Sequence, residues 1–66
     1  MKIIINDTEM QITHDSSVLQ TLEVLNIDPK GVAVAVNRAC IPRAQHSETI
    51  LKDGDHLEIL SPMVGG

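Results

Sequence analysis

Val32-Ala33-Val34-Ala35-Val36 is the stretch whose reading decides the fold. It is apolar throughout, and turn chemistry bounds it: Asp28-Pro29-Lys30-Gly31 in front and Asn37-Arg38 behind. A continuous apolar run of this length predicts a central strand covered on both faces. Side chains alternate across a strand, so Val32, Val34 and Val36 form one bulky face that can pack against a helix. Ala33 and Ala35 form a small face that can lie open.

The helix this strand requires lies just upstream. Ser17-Val18-Leu19-Gln20 has the form of a capping box, with Ser at the N-cap and Gln three residues on. Val18, Leu22 and Leu25 follow at helical spacing, joined by Leu19. Asp28-Pro29 is expected to end the helix, because the residue before a proline is pushed out of the α region. Further upstream, Lys2–Ile5 is short and β-branched and reads as a strand. Asn6-Asp7-Thr8 is turn chemistry, and Glu9–Thr13 alternates polar and apolar with period two. This predicts a hairpin with Met1, Ile3, Ile5, Met10 and Ile12 on one face and Ile4 on the other.

Downstream, Ala39-Cys40-Ile41 is a short strand that Pro42 must end or confine to an edge. Arg43–Glu48 is polar and reads as a loop or a single helical turn. Lys52-Asp53-Gly54-Asp55 carries a strong turn signal. His56–Leu60 is the last strand, with Leu57 and Ile59 directed inward and Glu58 and Leu60 outward. Strand, strand, helix, strand, short strand, strand makes a mixed sheet with one helix across one face, an α+β roll.

Composition narrows the function classes. A chain of 66 residues suits one domain, and 42 % apolar residues are enough for a core. A domain this small buries only about 60 % of its unfolded surface, so stability is modest. Aromatic residues make up 0 % of the chain, which removes the stacking platforms of single-strand nucleic-acid binders. Nine acidic side chains against five basic ones, with no basic cluster, argue against phosphate-backbone binding. No apolar stretch approaches membrane-spanning or signal-peptide length. Cys40 is the only cysteine, which suits a reducing, cytoplasmic setting and a structural or incidental thiol.

No catalytic or metal-binding constellation stands out. His14, His46 and His56 are far apart, lie next to turns and lack metal-ligand spacing, so all three are expected in solvent. Asp53 and Asp55 flank a turn glycine, and Ser16 and Ser17 suit capping better than nucleophilic catalysis. Arg43 suits a surface salt bridge.

That leaves the end of the sequence, Pro62-Met63-Val64-Gly65-Gly66, as the candidate functional group. Residues 1–61 read as the domain and 62–66 as a flexible tail. Glycine has no Cβ, so a Gly-Gly end is slim enough to thread a narrow channel. Its carboxylate is unhindered by side chains. Gly66 would supply the reacting carboxyl carbon, Gly65 would let the tail thread, and Met63 and Val64 would give it apolar grip. Ile4, Ala33, Ala35 and Leu60 are expected to share the sheet face away from the helix, a candidate docking patch for partners.

The strand order, the length and the Gly-Gly end resemble the ubiquitin-like β-grasp family (ββαββ). Within it the chain more closely resembles the ThiS-type sulfur carriers of thiamine biosynthesis. Val34-Ala35-Val36-Asn37, Ile41-Pro42-Arg43, Leu51-Lys52-Asp53-Gly54-Asp55 with Leu57-Glu58-Ile59, and Val64-Gly65-Gly66 carry it. Such carriers commonly have an aromatic shortly after the Pro-Arg pair, where this chain has Gln45-His46. Pro62 is more like the small subunit of molybdopterin synthase, a related sulfur carrier. The resemblance implies a carrier protein with no bound cofactor. ATP would be used by a partner, a ubiquitin-activating-type adenylyltransferase that charges Gly66. A protein persulfide would supply sulfur to form a thiocarboxylate, and a thiazole synthase would receive it. A ubiquitin-like modifier, conjugated to lysines through Gly66, is the alternative from another class.

Overall fold

A computed structural model of the chain describes residues 1–61. The tail readings at Met63, Val64, Gly65 and Gly66 lie outside the described residues. The elements are β1 (Lys2–Ile5), β2 (Thr8–Gln11), α1 (Val18–Val24), β3 (Ala33–Val36), β4 (Ala39–Cys40) and β5 (His56–Leu60). Single 3-10 turns at Pro29–Gly31 and Arg43–Gln45 complete the order. The five strands form one mixed sheet in the order β2-β1-β5-β3-β4.

The last strand in sequence is therefore the middle strand in space. β1 pairs with β2, and β3 pairs with β4, as two antiparallel hairpins. β5 lies between them, parallel to β1 and antiparallel to β3. The central place assigned to Val32–Val36 thus belongs to β5. β3 is second from the edge, next to the two-residue strand β4. Its alternation holds where it counts, with Val34 buried and Ala33 exposed. Val36 is only half-buried, because its outer neighbour is a strand too short to cover it.

Both hairpins turn through two residues with positive φ, Asn6 (47°) and Asp7 (69°), then Asn37 (50°) and Arg38 (72°). Positive φ at both central residues is the signature of type I′ turns, whose twist matches that of paired strands. Thr8 is consequently the first residue of β2 rather than part of the turn. At Asp53-Gly54 the φ of +87° falls on glycine, which bears it without strain.

α1 matches its apolar period but stops before the expected Asp28-Pro29 signal. Leu25 is the C-cap, and Asn26 follows in the left-handed region at φ 59°. Ile27 N–H then donates to the Leu22 carbonyl (2.9 Å) and Asn26 N–H to that of Glu23 (3.0 Å). This is a Schellman closure with asparagine in the glycine position, and Leu22 and Ile27 both join the core. Asp28-Pro29-Lys30-Gly31 is a separate turn, closed by Gly31 N–H to the Asp28 carbonyl at 3.1 Å.

At its other end α1 satisfies every leading N–H. Ser17 Oγ accepts from Gln20 N (3.0 Å) and Gln20 Oε1 accepts from Ser17 N (2.9 Å), completing the capping box. The first two donors go to the loop after β4: Val18 N–H to the Thr49 carbonyl (2.9 Å) and Leu19 N–H to that of His46 (3.0 Å). The loop is therefore held against the helix side of the sheet.

That placement corrects the reading of His46. His14 and His56 are exposed, whereas His46 is 2 % exposed. Its main chain is tied to α1, and its Nε2 lies 3.1 Å from the Ile41 carbonyl, which it meets as a donor. Tying the loop down draws the ring inside. Where the family resemblance implies an aromatic shortly after the Pro-Arg pair, this chain has a buried imidazole.

The core is aliphatic: Ile3, Ile5, Ile12, Val18, Leu22, Val34, Leu51, Leu57 and Ile59 are all buried. Replacing Ser17 by Ala leaves the N–H of Gln20 unpaired at a buried helix start. We expect a loss of about 1 kcal/mol, read as a lower urea midpoint at unchanged slope. An unchanged midpoint would show that the cap contributes nothing.

Candidate functional site

The candidate site is the C-terminal end of β5, from which residues 62–66 continue in the sequence. Leu57 and Ile59 of β5 face the helix and are buried, while His56, Glu58 and Leu60 face away. The strand ends with Leu60, 60 % exposed, and Ser61.

What fixes this end is the side chain of Asn6. After β1 turns away at Ile5, β5 has lost its neighbour. The Asn6 amide then takes the place of a strand: Nδ2 donates to the Ile59 carbonyl (3.0 Å), and the Ile59 N–H donates to Oδ1 (2.8 Å). The main-chain N–H of Asn6 also donates to the Leu57 carbonyl at 3.0 Å. Asn37, first residue of the other type I′ turn, does the same at the opposite end of β5. Its Oδ1 accepts from His56 N–H (3.0 Å), its own N–H donates to the His56 carbonyl (2.8 Å), and its Nδ2 donates to Asp55 Oδ1 (3.0 Å).

Asp53 and Asp55 act as turn acceptors. Asp53 Oδ1 takes the N–H of Lys2 at 2.7 Å and Asp55 Oδ2 that of Lys52 at 2.8 Å. Among the described residues no group of three or more His, Cys, Asp or Glu side chains could hold a metal ion. Nor is any helix there long and apolar enough to cross a membrane.

The outward sheet face carries the residues expected for docking. Strand register sets Ala33 opposite Leu60 and Ala35 opposite Glu58, with Ile4 across β5 at the level of His56. Leu60, Ala33 and Ala35 therefore adjoin, whereas His56 and Glu58 stand between them and Ile4. Cys40 pairs with Ala35 and is exposed on this same face. Ile4 is flanked on its other side by Glu9, which forms an ion pair with Lys2 at 3.1 Å. The Arg43–Glu48 loop, bound to α1, leaves the face open.

The family model described as ThiS family matches residues 3–66 of this chain. The chain belongs to the ThiS family. It is 35 % identical over 66 residues to the sulfur carrier protein ThiS of Escherichia coli strain K12, with all of both chains covered. It is also 33 % identical over 66 residues to a thiazole synthase of Paramagnetospirillum magneticum, spanning all of this chain but 20 % of that longer protein. The crystal structure of ThiS from Geobacter metallireducens has the same fold, with a TM-score of 0.87 at 28 % identity and complete coverage of both chains. The solution structure of a thiamine biosynthesis protein from the same organism gives 0.83 at 28 % identity, over all of this chain and 88 % of that one. The β-grasp expectation therefore holds for this ThiS-family chain, with its mixed five-stranded sheet and single helix.

The Asn6 clamp was not visible in the sequence. Asn6 and Asn37 were legible only as turn formers. Their second role suits an amide, which holds a donor and an acceptor on separate atoms of one planar group. Replacing Asn6 by Ala strips a partner from both main-chain groups of Ile59, with an expected cost of roughly 1–3 kcal/mol. Asn37→Ala, whose freed partners are exposed to water, should cost less. Equal losses in chemical denaturation would refute the clamp.

Proposed function

We propose that the carboxyl group of Gly66 is the point at which this chain carries sulfur. ThiS-family membership makes the chain a sulfur carrier of thiamine biosynthesis, a protein acted on by enzymes rather than a catalyst. A carboxylate resists nucleophiles because of its charge and its poor leaving group. Reaction with ATP at a ubiquitin-activating-type adenylyltransferase releases pyrophosphate and turns the carboxylate into an acyl adenylate. The terminal sulfur of a protein persulfide then bonds to the carbonyl carbon as AMP leaves. A thiol takes up the remaining S–S bond, which frees the thiocarboxylate and leaves a disulfide. The chain holds reactive sulfur covalently while its partners provide the chemistry.

The observation that carries this reading is the match to the ThiS family, which runs through Gly66. Geometry adds support, because β5 is pinned at both ends and delivers the chain outward at Ser61. In the same reading Gly65 permits threading, Met63 and Val64 supply grip, and the face around Leu60, Ala33 and Ala35 docks the adenylyltransferase. The relative named thiazole synthase includes a stretch like this chain within one polypeptide. That supports a thiazole synthase as the enzyme receiving the sulfur. A cytoplasmic setting goes with ATP, persulfide donors and the free thiol of Cys40.

Deleting Gly66 should abolish thiocarboxylate formation and leave the unfolding midpoint unchanged. Intact mass after incubation with the adenylyltransferase, ATP and a persulfide donor reads the exchange of one oxygen for sulfur. Full charging of the chain ending at Gly65 would contradict the assignment.

A further inference from the structure

On the helix side of the same strand end lies a second apolar feature. Met10, Leu25, Ile27, Val32, Ile59 and Ser61 line an open groove of about 560 Å³. It exists because three elements stop short of one another: α1 closes at Leu25, β2 begins at Thr8, and β5 ends at Leu60. Met10, Leu25, Ile27 and Val32 pack against the core yet stay only partly buried, so the core is uncovered at this corner.

The groove's position limits what can cover it. Ser61 is on its wall, and five residues follow Ser61 in the sequence. Fully extended, five residues reach at most about 18 Å. An enzyme that draws the carboxyl carbon of Gly66 into its active centre must therefore bring the mouth of its channel against Ser61. Besides Leu60, that mouth meets on the helix side a wall that is mostly apolar, with Asn6, Thr8 and Ser61 as its polar members.

We propose that this groove receives an apolar side chain from the channel lip of the enzyme that adenylates the tail. The carrier is then gripped on both sides of its exit point, by Leu60 and its neighbours on one and by the groove on the other. This rests on the adenylation of Gly66 proposed above. It adds a contact on the helix side of the sheet, away from the open face. A single apolar knob fits the chemistry, since an apolar pocket of this kind is where an interface anchor is desolvated.

The test uses the full chain and the purified adenylating enzyme, with pyrophosphate release as the readout. Thr8 is exposed and also borders the groove, so Thr8→Trp fills it without removing a core side chain. We expect KM to rise roughly tenfold with kcat unchanged. Val24→Trp, on the exposed outer side of α1, should leave both constants as they are. Val32→Thr, which keeps the shape but puts a hydroxyl in the groove, is the second variant should Thr8→Trp fail to fold, and should raise KM severalfold. In the wild-type chain, methyl signals of Met10, Leu25, Ile27 and Val32 should shift when the enzyme is added. A KM within twofold of wild type for the folded groove variants, with groove methyls unmoved, overturns the proposal while charging proceeds normally. Absence of charging in the wild-type chain would instead defeat the adenylation reading. In the enzyme-free chain, contacts from groove methyls to Met63 would assign the groove to the chain's own tail. Shifts that grow with carrier concentration would assign it to a second copy. Either result also overturns the proposal.

Discussion

Ile59 gives both its main-chain N–H and its carbonyl to one side chain, the amide of Asn6, at 2.8 and 3.0 Å. The rest of the architecture leans on that pair and on its counterpart at Asn37. The sheet consists of two hairpins that share no ladder with each other, and β5 alone joins them. A middle strand of five residues has few hydrogen bonds to spare. β1 leaves it at Ile5 and β3 turns away at Val36, so each end of β5 would carry open backbone groups. An asparagine at the first position of each type I′ turn supplies the missing partners. The same residue also suits the positive φ that the turn demands, so a single choice of residue serves both the turn and the strand.

The functional consequence is mechanical. Burial of Leu57 and Ile59 anchors the inward side of β5, and the two amides anchor its edges. The strand is thereby held up to the point where the tail begins. On the chemistry proposed for Gly66, the reacting carbon lies five residues past Ser61, and such a fixed origin lets an enzyme find those residues by finding the body. The loop after β4 contributes differently. Its carbonyls at His46 and Thr49 complete the start of α1, which keeps the loop off the open sheet face. Leu60 and Ala33 stay exposed, with Ala35 half-buried beside them.

Much of this was legible in the residues. The capping box at Ser17 and Gln20, the inward pair Leu57 and Ile59, the edge strand ended by Pro42, and the open alanine face of β3 all follow from local pattern. Other features did not, for physical reasons. The apolar run of Val32–Val36 looked central, but sheet position is set by long-range pairing, and the more modest His56–Leu60 took the middle. The stop signal was read at Asp28-Pro29, yet Asn26 could adopt the left-handed region and close the helix early. His46 lay in a polar loop, and only the hydrogen bonds from Val18 and Leu19 into that loop explain its burial. The groove beside Ser61 was invisible for a similar reason, since it is made by where three elements stop.

The most direct measurement of the central claim is native-state amide hydrogen exchange along β5. The account predicts that the Ile59 amide, near the strand's end, exchanges only through global unfolding, with the same protection as the buried middle of the strand at Leu57. Protection at Ile59 that falls to the level of fraying chain ends, while Leu57 stays fully protected, would contradict it.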